Sequence, residues 1–337
     1  MKALIIGGTG TISSAVVRLL LERKWEVYVI NRGSKPLPDG AVGIVADISD
    51  EATVREKLGD MRFDTVCDFI GFVPEQAERD FRLFAGRTRQ YIYISSASAY
   101  HKPARNYIVN EGTTLANPYW QYSRDKIACE ELLMKHYRQE GFPVTIVRPS
   151  HTYDENHIPL GVHGKNGSWQ VIKRMIEGKP VIIQGDGTSL WTLTYNTDFA
   201  VGFTGLMGNP HAIGEAFQIT SDETLSWNRI YQIIADALGV ELKAYHVASE
   251  FLTAVGPEYD FLGSLTGDKS ESVVFDNSKL KRAVPDFHPV VSAAEGIRKA
   301  IDNILAHPEL QTPDEEFDLW CDRVIEALEG AKGKMLG

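Results

Sequence analysis

Short apolar runs recur along the first half of the chain, at residues 3–6, 26–30, 42–46, 65–70, 91–94 and 144–147. Between them lie segments with helical rhythm. Ile12, Val16, Leu19, Leu20 and Leu21 mark one over 12–23, and others cover about 75–84 and 119–137. Continuous apolar runs suit strands buried on both faces. Their alternation with helices predicts an α/β fold: a doubly wound, parallel, Rossmann-type sheet. Beyond Pro149 the pattern changes. Residues 151–166 are rich in His, Gly and polar side chains and read as a long loop beside the active site. A helix is expected at 169–177, a short strand at 180–183, and a helix at 224–238 on the spacing of Trp227, Ile230, Ile233, Ile234 and Leu238. Two late helices are expected at about 293–305 and 314–328.

Composition narrows the class without choosing a function. The 337 residues are 43% hydrophobic and 24% charged, ordinary values for a globular chain. The net charge of −10 and the absence of a Lys/Arg block argue against a nucleic-acid surface. Cys67, Cys129 and Cys321 have no metal-ligand spacing and read as reduced thiols of a cytoplasmic protein. The first strand starts at once, which leaves no room for a signal peptide, and no apolar run approaches a membrane span of ~20 residues. No metal site is expected: His101, His151, His157 and His163 match no zinc spacing.

The turn after the first strand is the first chemical signal. Gly7-Gly8-Thr9-Gly10 leads directly into Thr11 and Ile12 at a helix start. Glycines let backbone approach phosphate oxygens, and the free N–H groups and dipole of a helix N-terminus favour an anion. The third glycine of the usual fingerprint is Ser13 here, still small enough for close helix–strand packing. The second strand ends in Asn31-Arg32-Gly33, where NAD sites usually carry an acid. Arg32 can pair with a 2′-phosphate, which favours NADP over NAD; the alternative is a solvated surface arginine. Asp47 and Ile48 follow the third strand. Asp47 would lie near the adenine or cap the helix that starts after Ser49.

The second signal is Tyr122 and Lys126, four positions apart on one helix face, with Ser96 upstream at a strand end. An ammonium there stabilises a phenolate, and a Ser hydroxyl can hold a reacting oxygen. Read alone, the Tyr/Lys spacing also fits an ordinary exposed helix face.

Taken together, residues 7–10, 46–48, 91–100, 122–126, 147–149, 185–187 and 196–198 resemble the extended short-chain dehydrogenase/reductase family, the NAD-dependent epimerase/dehydratase group. The opening turn and Asn31-Arg32-Gly33 are most similar to an atypical branch that includes the chloroplast stem-loop RNA-binding proteins. The resemblance implies a dinucleotide-binding domain over 1–165 with a returning segment near 185–222, and a smaller substrate lobe from 166–184 and 223–337. It implies NAD(P) as cofactor and Ser96, Tyr122 and Lys126 as the catalytic set, Tyr122 moving the proton while Lys126 also binds the nicotinamide ribose. Pro149 would end a strand at the nicotinamide end, with His151 following as a cofactor or substrate contact. Ser98, Tyr153 and Trp191 are the other substrate-side candidates, the two aromatics as stacking platforms. Trp191 packed into the core is the plainer alternative.

Departures from the family pattern matter too. Ala97 and Ser98 stand where 4,6-dehydratases carry Asp-Glu, which weighs against dehydration by that route. What remains needs one acid/base: oxidoreduction, or 4-epimerisation through a transient ketone, on a sugar, with a nucleotide-linked sugar favoured. Two other functions stay open: a non-catalytic dinucleotide-binding regulator of RNA or protein, and a reductase of small non-sugar carbonyls. The resemblance also implies a homodimer, paired through the helices near residues 75 and 119.

Overall fold

The computed structural model describes residues 1–336. Its main sheet consists of β1 (Lys2–Ile6), β2 (Glu26–Asn31), β3 (Val42–Val45), β4 (Thr65–Asp68), β5 (Tyr91–Ile94), β6 (Val144–Pro149) and β7 (Ala216–Ile219). Their order is β7-β6-β5-β4-β1-β2-β3, and every neighbouring pair is parallel. This is the expected doubly wound sheet. Its order reverses between β1 and β4, and that point opens a crevice at the strands' carboxyl ends.

The connecting helices are α1 (Thr11–Glu22), α2 (Glu51–Leu58), α3 (Pro74–Phe84) and α4 (Gln121–Glu140). Pleating sends Ala3 and Ile5 to one face of the sheet, and Leu4 and Ile6 to the other. On the first face they meet Val16, Val17 and Leu20 of α1, and Phe199 and Phe203 of the helix Asn196–Leu206. On the second they meet Val54 of α2, Phe84 of α3 and Leu133 of α4.

Several elements differ from the sequence expectation for identifiable reasons. β4 stops at Asp68 because its carboxylate accepts the Ile70 N–H (2.8 Å) and turns the chain. The helix expected from 224 begins at Trp227: Thr224–Ser226 is extended, and Ser226 Oγ caps the Arg229 N–H (3.3 Å). A short strand, His151–Tyr153, lies within the expected loop. The helix Asn196–Leu206 was not anticipated. It is apolar nearly all round, so it has no amphipathic stripe to read. Its glycines permit close approach: a Cβ on Gly202 would stand 3.0 Å from Phe287, and one on Gly205 would overlap Val284.

The chain forms two compact units: residues 1–152, 192–222 and 275–290 in one, and 153–191, 223–274 and 291 onward in the other. The second unit contains a two-stranded parallel sheet, Val181–Gln184 with Ala244–Val247, and the helices Trp169–Ile176, Trp227–Leu238, Ala293–Ala306 and Glu315–Leu336. Buried Arg174 joins the first and last of these through Asp318 (2.7 Å) and Asp322 (2.8 Å). No described helix is long and apolar enough to cross a membrane.

Candidate active site

A cavity of about 610 Å³ opens at the carboxyl ends of β1 to β4. Gly7 and Gly10 form one wall, Asn31 and Arg32 another, and Asp47 with Ile48 a third. Gly7 adopts φ +78°, and a Cβ there would stand 2.5 Å from Ile70 Cγ2, so only glycine fits. Gly10 is the N-cap of α1, and Thr11 and Ile12 open the helix. Ser13 does more than stay small. Its Oγ accepts the Gly10 N–H (2.9 Å) and donates to the Gly7 carbonyl (2.6 Å), stapling the turn to the helix. The result is a glycine-rich cradle, with Thr9 its one side chain, at a helix N-terminus, a fit for a pyrophosphate.

At the far rim, the Asn31 side chain accepts the Gly33 N–H (3.0 Å) and Arg32 is exposed. Asp47 accepts the N–H (2.9 Å) and the hydroxyl (2.6 Å) of Ser49, contacts that lower its pKa. The helix cap considered for Asp47 belongs instead to Asp50, which accepts the Thr53 N–H (3.1 Å). Arg79 and Lys35 also line this end.

Phe72 connects the cavity to the expected catalytic residues. It lines the cavity wall, and its ring lies 6.5 Å from that of Tyr122 and 4.9 Å from Lys126 Nζ. Lys126 is buried on α4 and donates to the carbonyls of Gly71 (2.6 Å) and Ile94 (2.7 Å). Its ammonium is 5.7 Å from the Tyr122 ring centroid. Burial pulls its pKa down to about 8, although the charge of Asp68 opposes the shift. Tyr122 is half-buried beside Trp120, with ring centroids 5.0 Å apart.

Ser96 lies just past β5, two residues after the carbonyl that holds Lys126. Its Oγ is 2.9 Å from Ser98 Oγ, which accepts a hydrogen bond from Ser123 Oγ (2.7 Å). Three hydroxyls therefore form a chain from the strand end into α4. Ser98, expected among the substrate contacts, is 4% exposed and lies in the interior of that chain. Pro149 ends β6, with Ile219 of β7 beside it, and His151 is half-buried just beyond.

The two aromatic platforms are not exposed. Trp191 is 3% exposed and stacks on Trp227, with centroids 5.9 Å apart, so it packs into the core of its unit. Tyr153 is likewise buried. No group of three or more described His, Cys, Asp or Glu residues is arranged to hold a metal.

The sequence reading missed a set of buried charges on the same sheet face. Arg148 on β6 bonds both oxygens of Glu130 (2.9 and 2.6 Å). Burial works against the Arg148 charge, but Glu130 more than offsets it and raises its pKa. Asp80 on α3 accepts from Arg79 Nε (2.8 Å) and the Tyr91 hydroxyl (2.7 Å), close to Asp68 at the end of β4. The available signal was a charged residue within an apolar run, Asp68 in 65–70 and Arg148 in 144–149.

This architecture defines a class, the Rossmann-type α/β fold with a glycine-turn cavity at the point where its strand order reverses. The NAD dependent epimerase/dehydratase family model matches residues 3–220, and the chain belongs to that family. Among curated relatives it is similar to the 2′-dehydrokanamycin reductase of Streptomyces kanamyceticus, 26% identical over 85% of this chain and 80% of the relative. It is also similar to the chloroplast stem-loop binding protein of 41 kDa b of Arabidopsis thaliana, 25% identical over 71% of this chain and 63% of that one. Among solved structures, UDP-glucuronic acid 4-epimerase from Bacillus cereus, in complex with UDP-glucuronic acid and NAD, superposes with a TM-score of 0.70. It is 21% identical over 91% of this chain and 99% of that chain.

Proposed function

We propose that this protein is a nicotinamide-dinucleotide-dependent oxidoreductase that interconverts a hydroxyl and a ketone on a sugar. The observation that carries this reading is Lys126, buried beside the Tyr122 ring and joined through Phe72 to a glycine-walled cavity. When bound, the dinucleotide supplies the hydride donor or acceptor.

The chain's own groups do the rest. Gly7, Gly10 and the first turn of α1 hold phosphates. Arg32 at the rim pairs with a 2′-phosphate and selects NADP, with Lys35 nearby to reinforce it. Lys126 is an ammonium at neutral pH. Two of its three donors are committed to Gly71 and Ile94, which fixes its position and leaves a third for a ribose hydroxyl. Its charge favours the phenolate of Tyr122, so that the phenol gives a proton to a ketone oxygen in one direction and the phenolate takes one from a hydroxyl in the other. Ser96 Oγ, held by the Ser98–Ser123 chain, orients the same oxygen.

The reductase sense, on a keto-sugar, is placed ahead of epimerisation because a relative that aligns over most of both chains is named a reductase. Ala97 and Ser98 provide no second acid/base, which weighs against dehydration and not against epimerisation. A homodimer through α3 and α4 belongs to the same reading.

The test is a substrate panel. Keto-sugars, UDP-, GDP- and dTDP-sugars and simple ketones are offered with NADPH or NADH, and cofactor absorbance is followed. Turnover of a keto-sugar with NADPH, reduced about 10²–10⁴-fold in Tyr122→Phe, supports the proposal. No turnover across the panel, together with a gel shift of structured RNA at physiological salt, would move the protein to the regulatory alternative.

A further inference from the structure

The buried acids behind the site are unusual in their arrangement. Asp68 and Asp80 are both fully buried, on β4 and α3 respectively. One Asp68 oxygen accepts the Ile70 N–H (2.8 Å), while the other, Oδ2, meets no hydrogen-bond donor of the protein. That oxygen is packed against the Cα of Gly71, where any Cβ would overlap it, and its carboxyl is within hydrogen-bonding reach of Asp80. Asp80 is already well supplied with donors: Arg79 on one oxygen and the Tyr91 hydroxyl on the other. A buried carboxylate oxygen with no donor is costly, and two adjacent buried carboxylates do not both ionise. A single proton between them resolves both problems: the Asp68 Oδ2 orphan becomes one end of a carboxyl–carboxylate hydrogen bond. Burial and the neighbouring Asp68 charge push Asp80 well above the usual carboxylate range, the direction such sharing requires.

The pair lies next to Lys126. The Gly71 carbonyl that accepts the Lys126 ammonium belongs to the glycine lodged on Asp68, and it also accepts the Tyr93 hydroxyl (3.1 Å). Asp68 is the strongest of the charges that keep Lys126 protonated against burial. The other ionisable groups facing this region are Cys129, Glu130 and Tyr122 of α4, Tyr91 and Tyr93 of β5, and Arg79 of α3. Only Arg79 also reaches the cavity.

We propose that Asp68 and Asp80 hold one proton between them and that this acid pair sets the charge opposite Lys126, making Asp68 a positioning residue for the Tyr122/Lys126 couple. The pair presents one negative charge, divided between a carboxyl beside Lys126 and one beside Arg79. Removing either acid leaves that charge on the other.

The signs of the two substitutions are opposite. In Asp68→Asn the remaining charge stays on Asp80 beside Arg79, so Lys126 loses its counter-charge and releases its proton at lower pH. In Asp80→Asn the charge settles on Asp68, and Lys126 holds its proton to higher pH. A purely structural role for the acids moves both variants the same way or neither.

The experiment has two arms. In the first, the full chain without substrate is studied by infrared spectroscopy at neutral pH, and the Lys126 side-chain nitrogen is titrated by NMR with labelled lysine, assigned by Lys126→Arg. A protonated-carboxyl band is expected in the wild type and lost in both Asn variants. The Lys126 midpoint is expected to shift about tenfold in proton affinity in opposite directions. A missing band, or midpoints that stay together, overturns the proposal. The second arm rests on the oxidoreductase reading and follows the pH dependence of turnover, whose high-pH limb should move as the midpoint does. If the first arm succeeds and no turnover is found, the acid pair stands and the catalytic reading falls.

Discussion

The two faces of the central sheet are both covered by apolar side chains and bury very different amounts of charge. On the face covered by α1 and the helix Asn196–Leu206, the strands present Ala3, Ile5, Val27, Val29, Ile92 and Val147, with no Asp, Glu, Lys or Arg among the buried strand residues, and that helix adds one buried acid, Asp198, which accepts the Val290 N–H (3.1 Å). On the opposite face the same strands present Asp68, Tyr91, Tyr93 and Arg148, and the helices above them add Asp80, Lys126 and Glu130. Charge is costly to bury unless paired and hydrogen-bonded. The first face keeps charge almost entirely out. The second accepts that cost, and it is the face from which α4 delivers Tyr122 and Lys126. Under the proposed function, the buried charge gathers on the side of the sheet that carries the Tyr122/Lys126 couple.

The sharpest way to break this contrast is to remove the ammonium. Lys126→Met should reduce turnover by about 10²–10⁴-fold, measured as kcat with the keto-sugar identified in the panel. It should also flatten part of the stability–pH curve. Lys126 has its pKa depressed to about 8 in the fold, against 10.5 for an ordinary lysine. Between those values the unfolded chain binds more protons than the folded one, so this group makes stability rise with pH across that window. Chemical denaturation at pH values below and above it should show the rise in wild type and its loss in the Met variant.

Glu130→Gln should be the most damaging substitution for stability on the charged face. It leaves Arg148 buried without its carboxylate, at a cost of about 3–5 kcal/mol in denaturant unfolding. Phe203→Ala on the apolar face should cost a similar amount, about 3–5 kcal/mol, through a cavity. The two should separate by rescue: Glu130→Asp, which keeps a carboxylate for Arg148, should recover part of the Glu130→Gln loss, whereas no polar replacement recovers the Phe203→Ala cavity. A Glu130→Asp variant as unstable as Glu130→Gln would dissolve the distinction between the faces. Gly7→Ala should be milder for the fold, about 1–2 kcal/mol from the left-handed backbone alone, with more from the Ile70 contact. Its larger effect should be weakened dinucleotide binding in a fluorescence titration.

Much of the sheet was legible because its signals are local. Apolar runs and the glycine turn located β1 to β6 to within a few residues. The Tyr122/Lys126 spacing on a helix could be read because helical geometry fixes it. What escaped depends on partners distant in the chain. The helix Asn196–Leu206 has no polar face, and its glycines make sense only against Val284 and Phe287. The exposure of Trp191 is decided by Trp227. Ser13 and Ser98 act through hydrogen bonds that no spacing rule predicts, and Asp68 gains its meaning only when α3 brings Asp80 to it. Boundaries moved where a side chain captured a backbone N–H, as Asp68, Asp50 and Ser226 do.

The claim on which the rest depends is that a nicotinamide ring comes to lie beside the Tyr122 phenol and the Lys126 ammonium. A crystal structure of the chain soaked with NADP tests it most directly. The account predicts phosphates against the Gly7 turn, the 2′-phosphate at Arg32, and the nicotinamide end within contact of Tyr122, with a ribose hydroxyl on Lys126. A dinucleotide bound in the opposite sense, a nicotinamide end remote from Tyr122, or no binding at millimolar ligand would contradict it.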